Sequence, residues 1–222
     1  MFFLLSVKIM YVAIIGELVR SRQIRDRNAV QCQLQAALDQ VNKKYADQIA
    51  ANFLITLGDE FQGILQEPGC LMPILSDIAD AIRPVQVRFG VGIGELTTEV
   101  NRNAAIGADG PAFYRARSAI NTVHKRKNQS CIRLESVQTG SILEALLQDA
   151  VDSAWEIRCG WTKQQRRIIA LLSTGMSQAE AGRRLTISQS SVYSGLHLSQ
   201  YTRYISLTEH IRRGLEALYH VS

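Results

Sequence analysis

Cysteine is scarce and scattered. The four thiols, Cys32, Cys70, Cys131 and Cys159, are spread over 222 residues without a CxxC pair, and no histidine stands at metal-ligand spacing from any of them. That excludes a zinc module and a disulfide-stapled scaffold, and it fits reduced core thiols in a cytoplasmic protein. Long apolar runs are missing too. The opening Met1-Phe2-Phe3-Leu4-Leu5 is interrupted by Lys8 and has neither a basic flank nor a small-residue cleavage site. It falls short of the roughly 18 residues a membrane-spanning helix needs, so neither an export signal nor a membrane partner is expected. Because Met10 directly precedes the first convincing strand, residues 1–9 read as an extension or as an upstream choice of start codon. Net charge is absent from residues 1–154, where sixteen basic side chains meet sixteen acidic ones. The whole net charge of +5 therefore lies in the last third. Such asymmetry predicts a neutral domain over residues 10–154 followed by a basic one over 155–222, whose partner is a polyanion.

The neutral part alternates strand and helix signals. Tyr11 to Gly16 is an apolar run ending in Glu17, and Val30, Leu34, Ala37, Leu38 and Val41 recur at helical spacing between Arg25 and Tyr45. Ile49–Leu57 and 61–65 flank the turn Gly58-Asp59-Glu60, a hairpin signal with an acidic corner. A helix follows over 70–82 and stops before Pro84. Val87, Phe89, Val91 and Ile93 then alternate with Arg88, Gly90, Gly92 and Gly94, so one face is apolar and the other nearly bare. Pro111 opens a helix running to His124, Ser130–Leu134 reads as a strand, and Ser141–Trp155 as a helix. This order predicts an α+β, ferredoxin-like sandwich with helices on one face of a mainly antiparallel sheet. Two central strands ending in Glu17 and Asp59 could share a divalent cation.

The order of elements resembles the catalytic domain of class III nucleotidyl cyclases and GGDEF-type diguanylate cyclases. More specifically, residues 10–16, Thr56-Leu57-Gly58-Asp59-Glu60-Phe61-Gln62-Gly63, residues 87–94 and Gly107-Ala108-Asp109-Gly110-Pro111-Ala112-Phe113-Tyr114 resemble the SatD family of bacterial proteins. The cyclase resemblance implies that Glu17 and Asp59 hold Mg²⁺, that Gly58 and Glu60 lie against a nucleotide ligand, and that Arg117 meets developing phosphate charge as the one catalytic candidate. This sequence departs from the cyclase pattern at Glu17, where the cyclases carry Asp, and at Phe113, where they carry Asn. Those departures imply a catalytically silent domain; the alternative they leave is a Mg²⁺-dependent nucleotide-binding or cyclase-like enzyme.

In the basic part, Trp161-Thr162 opens a helix with Ile168, Ile169, Leu171 and Leu172 as its apolar stripe, and Gly175 ends it. Ser177 caps a short helix over 178–185, and Ile187-Ser188 starts a third. In that third helix Val192 and Leu196 face inward, while Gln189, Ser190, Ser191, Tyr193, Ser194 and His197 face outward. Residues 175–192 resemble the LuxR-type and sigma region 4 helix-turn-helix. The resemblance implies a transcription-regulatory DNA-binding role, with those six side chains toward the bases and Arg166, Arg167, Arg183 and Arg184 toward phosphates. A further apolar stripe from Tyr201 through Ile205, Ile211, Leu215 and Leu218 predicts either homodimer formation or docking on the first domain.

Overall fold

Both rows of side chains on β1 (Met10–Leu18) are buried, Val12 and Ile14 on one face and Ala13 and Ile15 on the other. A continuous apolar run of this kind needs cover on both faces. In the computed structural model, which describes residues 9–23, 25–125 and 131–220, β1 is the middle of a five-stranded sheet. Its order is β2-β3-β1-β4-β5, with β2 (Ile49–Leu57), β3 (Glu60–Leu65), β4 (Val87–Glu95) and β5 (Ile132–Glu135). All pairs are antiparallel except β4 with β5. Nearly all of the expected 1–9 extension and Ser130 of the expected last strand lie outside the described residues.

The helices α1 (Arg27–Lys44) and α2 (Leu71–Ala81) join β1 to β2 and β3 to β4, skipping one strand each time. This is the split β-α-β-β-α-β arrangement. Their buried rows, Leu34, Leu38 and Val41 on α1 and Ile74, Leu75 and Ile78 on α2, close the face that carries Ile14, Phe61 and Phe89. The other face is covered by α3 (Pro111–Lys125), whose Ala112, Phe113, Ala116 and Ile120 pack on Ala13, Ile15 and Ile64. Helices therefore lie on both faces of the sheet, where the sequence reading expects one. The glycines of β4 make the second layer possible. A Cβ at Gly92 would stand 2.0 Å from the Ala112 carbonyl oxygen, and one at Gly90 2.3 Å from that of Ala116.

The exposed edge of β5 is covered by a side chain of α4 (Ile142–Cys159). Gln148 accepts from the Leu134 amide at 2.9 Å and donates to the Ile132 carbonyl at 2.9 Å, as a neighbouring strand would. Among the described residues no helix is long and apolar enough to cross a membrane.

Residues up to Gln148, together with those from Arg212 onward, form one compact unit, and Asp149–Ile211 form a second. The division differs from a simple cut between 154 and 155 because α4 runs on to Cys159 and the end of α8 (Tyr201–His220) belongs to the first unit. There Leu215 and Leu218 are buried, and the Tyr219 hydroxyl donates to the Met10 carbonyl at 2.6 Å.

In the second unit, α5 (Lys163–Ser173), α6 (Gln178–Leu185) and α7 (Gln189–Leu198) are each started by a hydroxyl cap. Thr162 and Ser177 form capping boxes with Gln165 and Glu180, and Ser188 accepts from the Ser191 amide. α6 ends at Thr186 in the left-handed region (φ 57°), which turns the chain sharply into α7. Gly195 in mid-helix costs about 1 kcal/mol of helix propensity. A Cβ there would lie 3.0 Å from Ile168 Cδ1, so the glycine lets α7 close on α5. Trp161 anchors the unit, donating to the Ser199 carbonyl at 2.8 Å with the rings of Tyr201 and Tyr204 edge-on to it.

Candidate functional site

At one end of the sheet a single rung crosses three strands. Glu60 on β3 is the register partner of Glu17 on β1, and Arg88 on β4 is the register partner of Glu17 on its other side. The β2–β3 hairpin produces this placement. Its loop is the two residues Gly58 and Asp59, and Gly58 takes φ 57°, so the strand resumes at Glu60 rather than after it. Like charges directly opposite each other destabilise a ladder unless they are neutralised.

The neutralising groups come from α3, two turns apart on one side of the helix. Arg117 grips Glu60 with two bonds, Nη1–Oε2 at 2.5 Å and Nη2–Oε1 at 2.8 Å. Those hydrogen bonds are the largest influence holding its guanidinium above an already high ordinary pKa, despite partial burial. His124 bonds Glu17 through Nε2, and its Nδ1 is 3.3 Å from Arg88 Nη1. Arginine can only donate, so Nδ1 accepts and Nε2 carries the proton given to Glu17. Asp59, at the corner, accepts from the buried Ser21 hydroxyl, and its carbonyl receives the Leu18 amide at 3.0 Å.

Glu17 and Asp59 thus line one cavity of about 760 Å³, shared with Arg20, Arg27, Arg88 and His124. The cyclase resemblance would place Mg²⁺ here, and the donor set does not fit it. Each carboxylate at this end of the sheet already accepts from a neighbour, and three guanidiniums line the same cavity. Among the described residues, no group of three or more His, Cys, Asp or Glu side chains is placed to hold a metal ion. Arg117 and Glu60, which the resemblance would set against a nucleotide, bond each other in this structure. The sequence reading missed His124, Arg88 and Ser21. The spacing of Arg117 and His124, seven residues apart on an amphipathic helix, was the available signal for the first of these.

The second unit carries a different surface. Gln189, Ser190, Ser191, Tyr193, Ser194 and His197 are all exposed on α7, with Val192 buried beneath them. Tyr193 and His197 stack with their rings 9° from parallel. Arg167, Arg183 and Arg184 are exposed, and both termini of the α6–α7 turn are solvent-facing. Arg166 is engaged otherwise: it donates to the carbonyls of Arg158 and Cys159 and lies over the Trp161 ring. It fastens the end of α4 to the start of α5 within this unit.

The sheet, its covering helices and the helical stretch after it define an α+β protein with an added trihelical segment. The chain belongs to the SatD family, whose model matches residues 11–210 and so spans both units. No curated protein matches it. Among solved structures it is similar to the monomeric guanylyl cyclase domain of the RhoGC fusion protein from the aquatic fungus Blastocladiella emersonii, at 17% identity over 52% of this chain and 76% of that one, with a TM-score of 0.41. A double mutant of the same domain matches at 18% identity over 52% of this chain and 75% of that one, with the same TM-score.

Proposed function

We propose that this protein binds duplex DNA through α6 and α7 as a helix-turn-helix, with α7 as the reading helix, and that it acts in transcription regulation. On this reading the sheet domain is catalytically silent and serves as a sensor or dimerisation platform. The observation that carries the proposal is the outward face of α7. Six polar side chains, Gln189, Ser190, Ser191, Tyr193, Ser194 and His197, are solvent-facing along one short helix that is held from below by Val192. Amide and hydroxyl groups near the start of such a helix are the donors and acceptors that read base edges in the major groove.

Charge supports the reading as well. From Trp155 onward, nine Lys and Arg side chains face four Asp and Glu. Arg183 and Arg184 close α6 beside the turn, and Arg167 lies exposed on α5. Contacts of that kind supply affinity and register without reading sequence. A dimer would bring two α7 helices to successive half-sites about one helical turn apart.

The test is retention of sheared genomic duplex by the full chain at low salt, compared with the Arg183→Ala/Arg184→Ala and Ser190→Ala/Tyr193→Ala variants. The first variant should weaken binding to all fragments. The second should flatten preferences among fragments while keeping most of the affinity. Equal binding by all three proteins would remove α6 and α7 from the account.

A further inference from the structure

We infer that the cavity at the open end of β1 is a metal-independent receptor for a small, multiply charged oxyanion of the phosphate class. The inference concerns the sheet domain and stands apart from the DNA-binding reading. It begins with the state of the carboxylates. Glu17 is held by His124, Glu60 by Arg117 and Asp59 by Ser21, so each acid at this end of the sheet is already answered by a donor.

The cations in the cavity are not answered in the same way. Arg20 and Arg27 line it, both are exposed, and among the described residues neither guanidinium meets a carboxylate. Among the described residues Arg88 reaches the Nδ1 of His124 and no carboxylate. Three guanidiniums therefore border a space of about 760 Å³, and Arg20 is held there by an unusual backbone. Its φ of 56° lies in the left-handed region that a non-glycine residue adopts only when its surroundings require it.

The Coulomb term decides between a cation and an anion. A divalent cation would be repelled by all three arginines and would find Glu17 Oε2 and Asp59 Oδ2 already accepting from His124 and Ser21, which leaves it one oxygen of each carboxylate. A phosphate-type oxyanion leaves those bonds intact and gains forked, charge-assisted hydrogen bonds from guanidiniums that meet no acid among the described residues. A second cavity of about 320 Å³ shares Leu18, Ser21, Arg27 and Asp59 with the first and continues to Val30. The geometry thus suits an anionic group attached to a larger body, with the charge among the arginines and the body beside α1.

The experiment titrates the full chain with inorganic pyrophosphate, read by calorimetry and by the thermal midpoint, once with EDTA and once with Mg²⁺. Binding should saturate in EDTA and should not strengthen with Mg²⁺. Arg20→Asn/Arg27→Ala should weaken it by about tenfold or more, the loss of two charge-assisted contacts. Asparagine is chosen at position 20 because it tolerates the left-handed conformation. Both arginines are exposed and, among the described residues, meet no carboxylate; an unchanged circular dichroism spectrum will confirm that the variant folds. Arg183→Ala/Arg184→Ala should leave pyrophosphate binding unchanged, which separates this cavity from the basic helices. Binding that needs Mg²⁺, binding that survives Arg20→Asn/Arg27→Ala, binding lost only with Arg183 and Arg184, or no binding at all would each overturn the proposal.

Discussion

Arg117 and Glu60 form a two-bond ion pair between α3 and β3, with Nη1–Oε2 at 2.5 Å and Nη2–Oε1 at 2.8 Å. Glu60 keeps only 17% of its side chain exposed, whereas Arg117 keeps 48%, so solvent screens the pair from one side. Arg117→Ala should therefore cost about 1 kcal/mol, the upper end for half-exposed pairs, and lower the thermal midpoint by about 2–4 °C. A double-mutant cycle with Glu60→Gln would measure the coupling itself.

The bare face of β4 gives a sharper expectation. Gly92→Ala would place a methyl 2.0 Å from the Ala112 carbonyl oxygen, against backbone that cannot swing away. The helix must lift off the sheet or the strand must bend. A loss of about 3 kcal/mol or more is expected, read as a fall in urea midpoint at unchanged slope.

Alkaline pH should loosen the contact between α1 and α2. Burial, and next the hydrogen bond to Asp77, push the Tyr45 phenol up to about 12 from its ordinary value near 10. Between those values the unfolded chain has released a proton that the folded chain keeps, so stability falls as pH rises. The contribution is complete below about pH 10 and is lost through about pH 12. Lys44, raised chiefly by its bond to the same Asp77, shifts stability in the same direction. Urea midpoints measured across that window should decline, and Tyr45→Phe should decline less.

Thiol reactivity should sort by exposure. Burial raises the Cys70 thiol to about 11, which leaves very little thiolate at neutral pH. Cys32 and Cys159 are exposed. Mass spectrometry after brief alkylation of the native protein should find label on Cys32 and Cys159 before Cys70, and denaturation should abolish the difference.

Much of this architecture was legible in the chain. The helical spacing of Leu34, Leu38 and Val41, the glycine at the β2–β3 turn, Pro111 at a helix start and the hydroxyl caps Thr162, Ser177 and Ser188 each mark an element that folds as those local rules require. Two features escaped. The number of covered faces was implied by the unbroken run Val12 to Ile15, which no half-exposed strand would tolerate, yet alternation on β4 pointed to one face. The pairing of acids also escaped. Glu17 stands in register with Glu60 because the hairpin loop is two residues long, and loop length sets register in a way composition does not reveal. Ser21 became a site residue only through tertiary approach, and His124 had no signal beyond its helical spacing from Arg117, since neither lies in a motif.

The central claim is that the basic helices meet duplex DNA, and a salt series tests it most directly. Fluorescence anisotropy of a labelled genomic duplex, titrated with the full chain at several salt concentrations, gives the slope of log K against log salt. The account predicts clear binding at low salt, with a slope that becomes shallower by about two when Arg183 and Arg184 are both changed to Ala, one unit for each phosphate contact removed. No anisotropy change at low salt, or a slope that ignores the two substitutions, would contradict it.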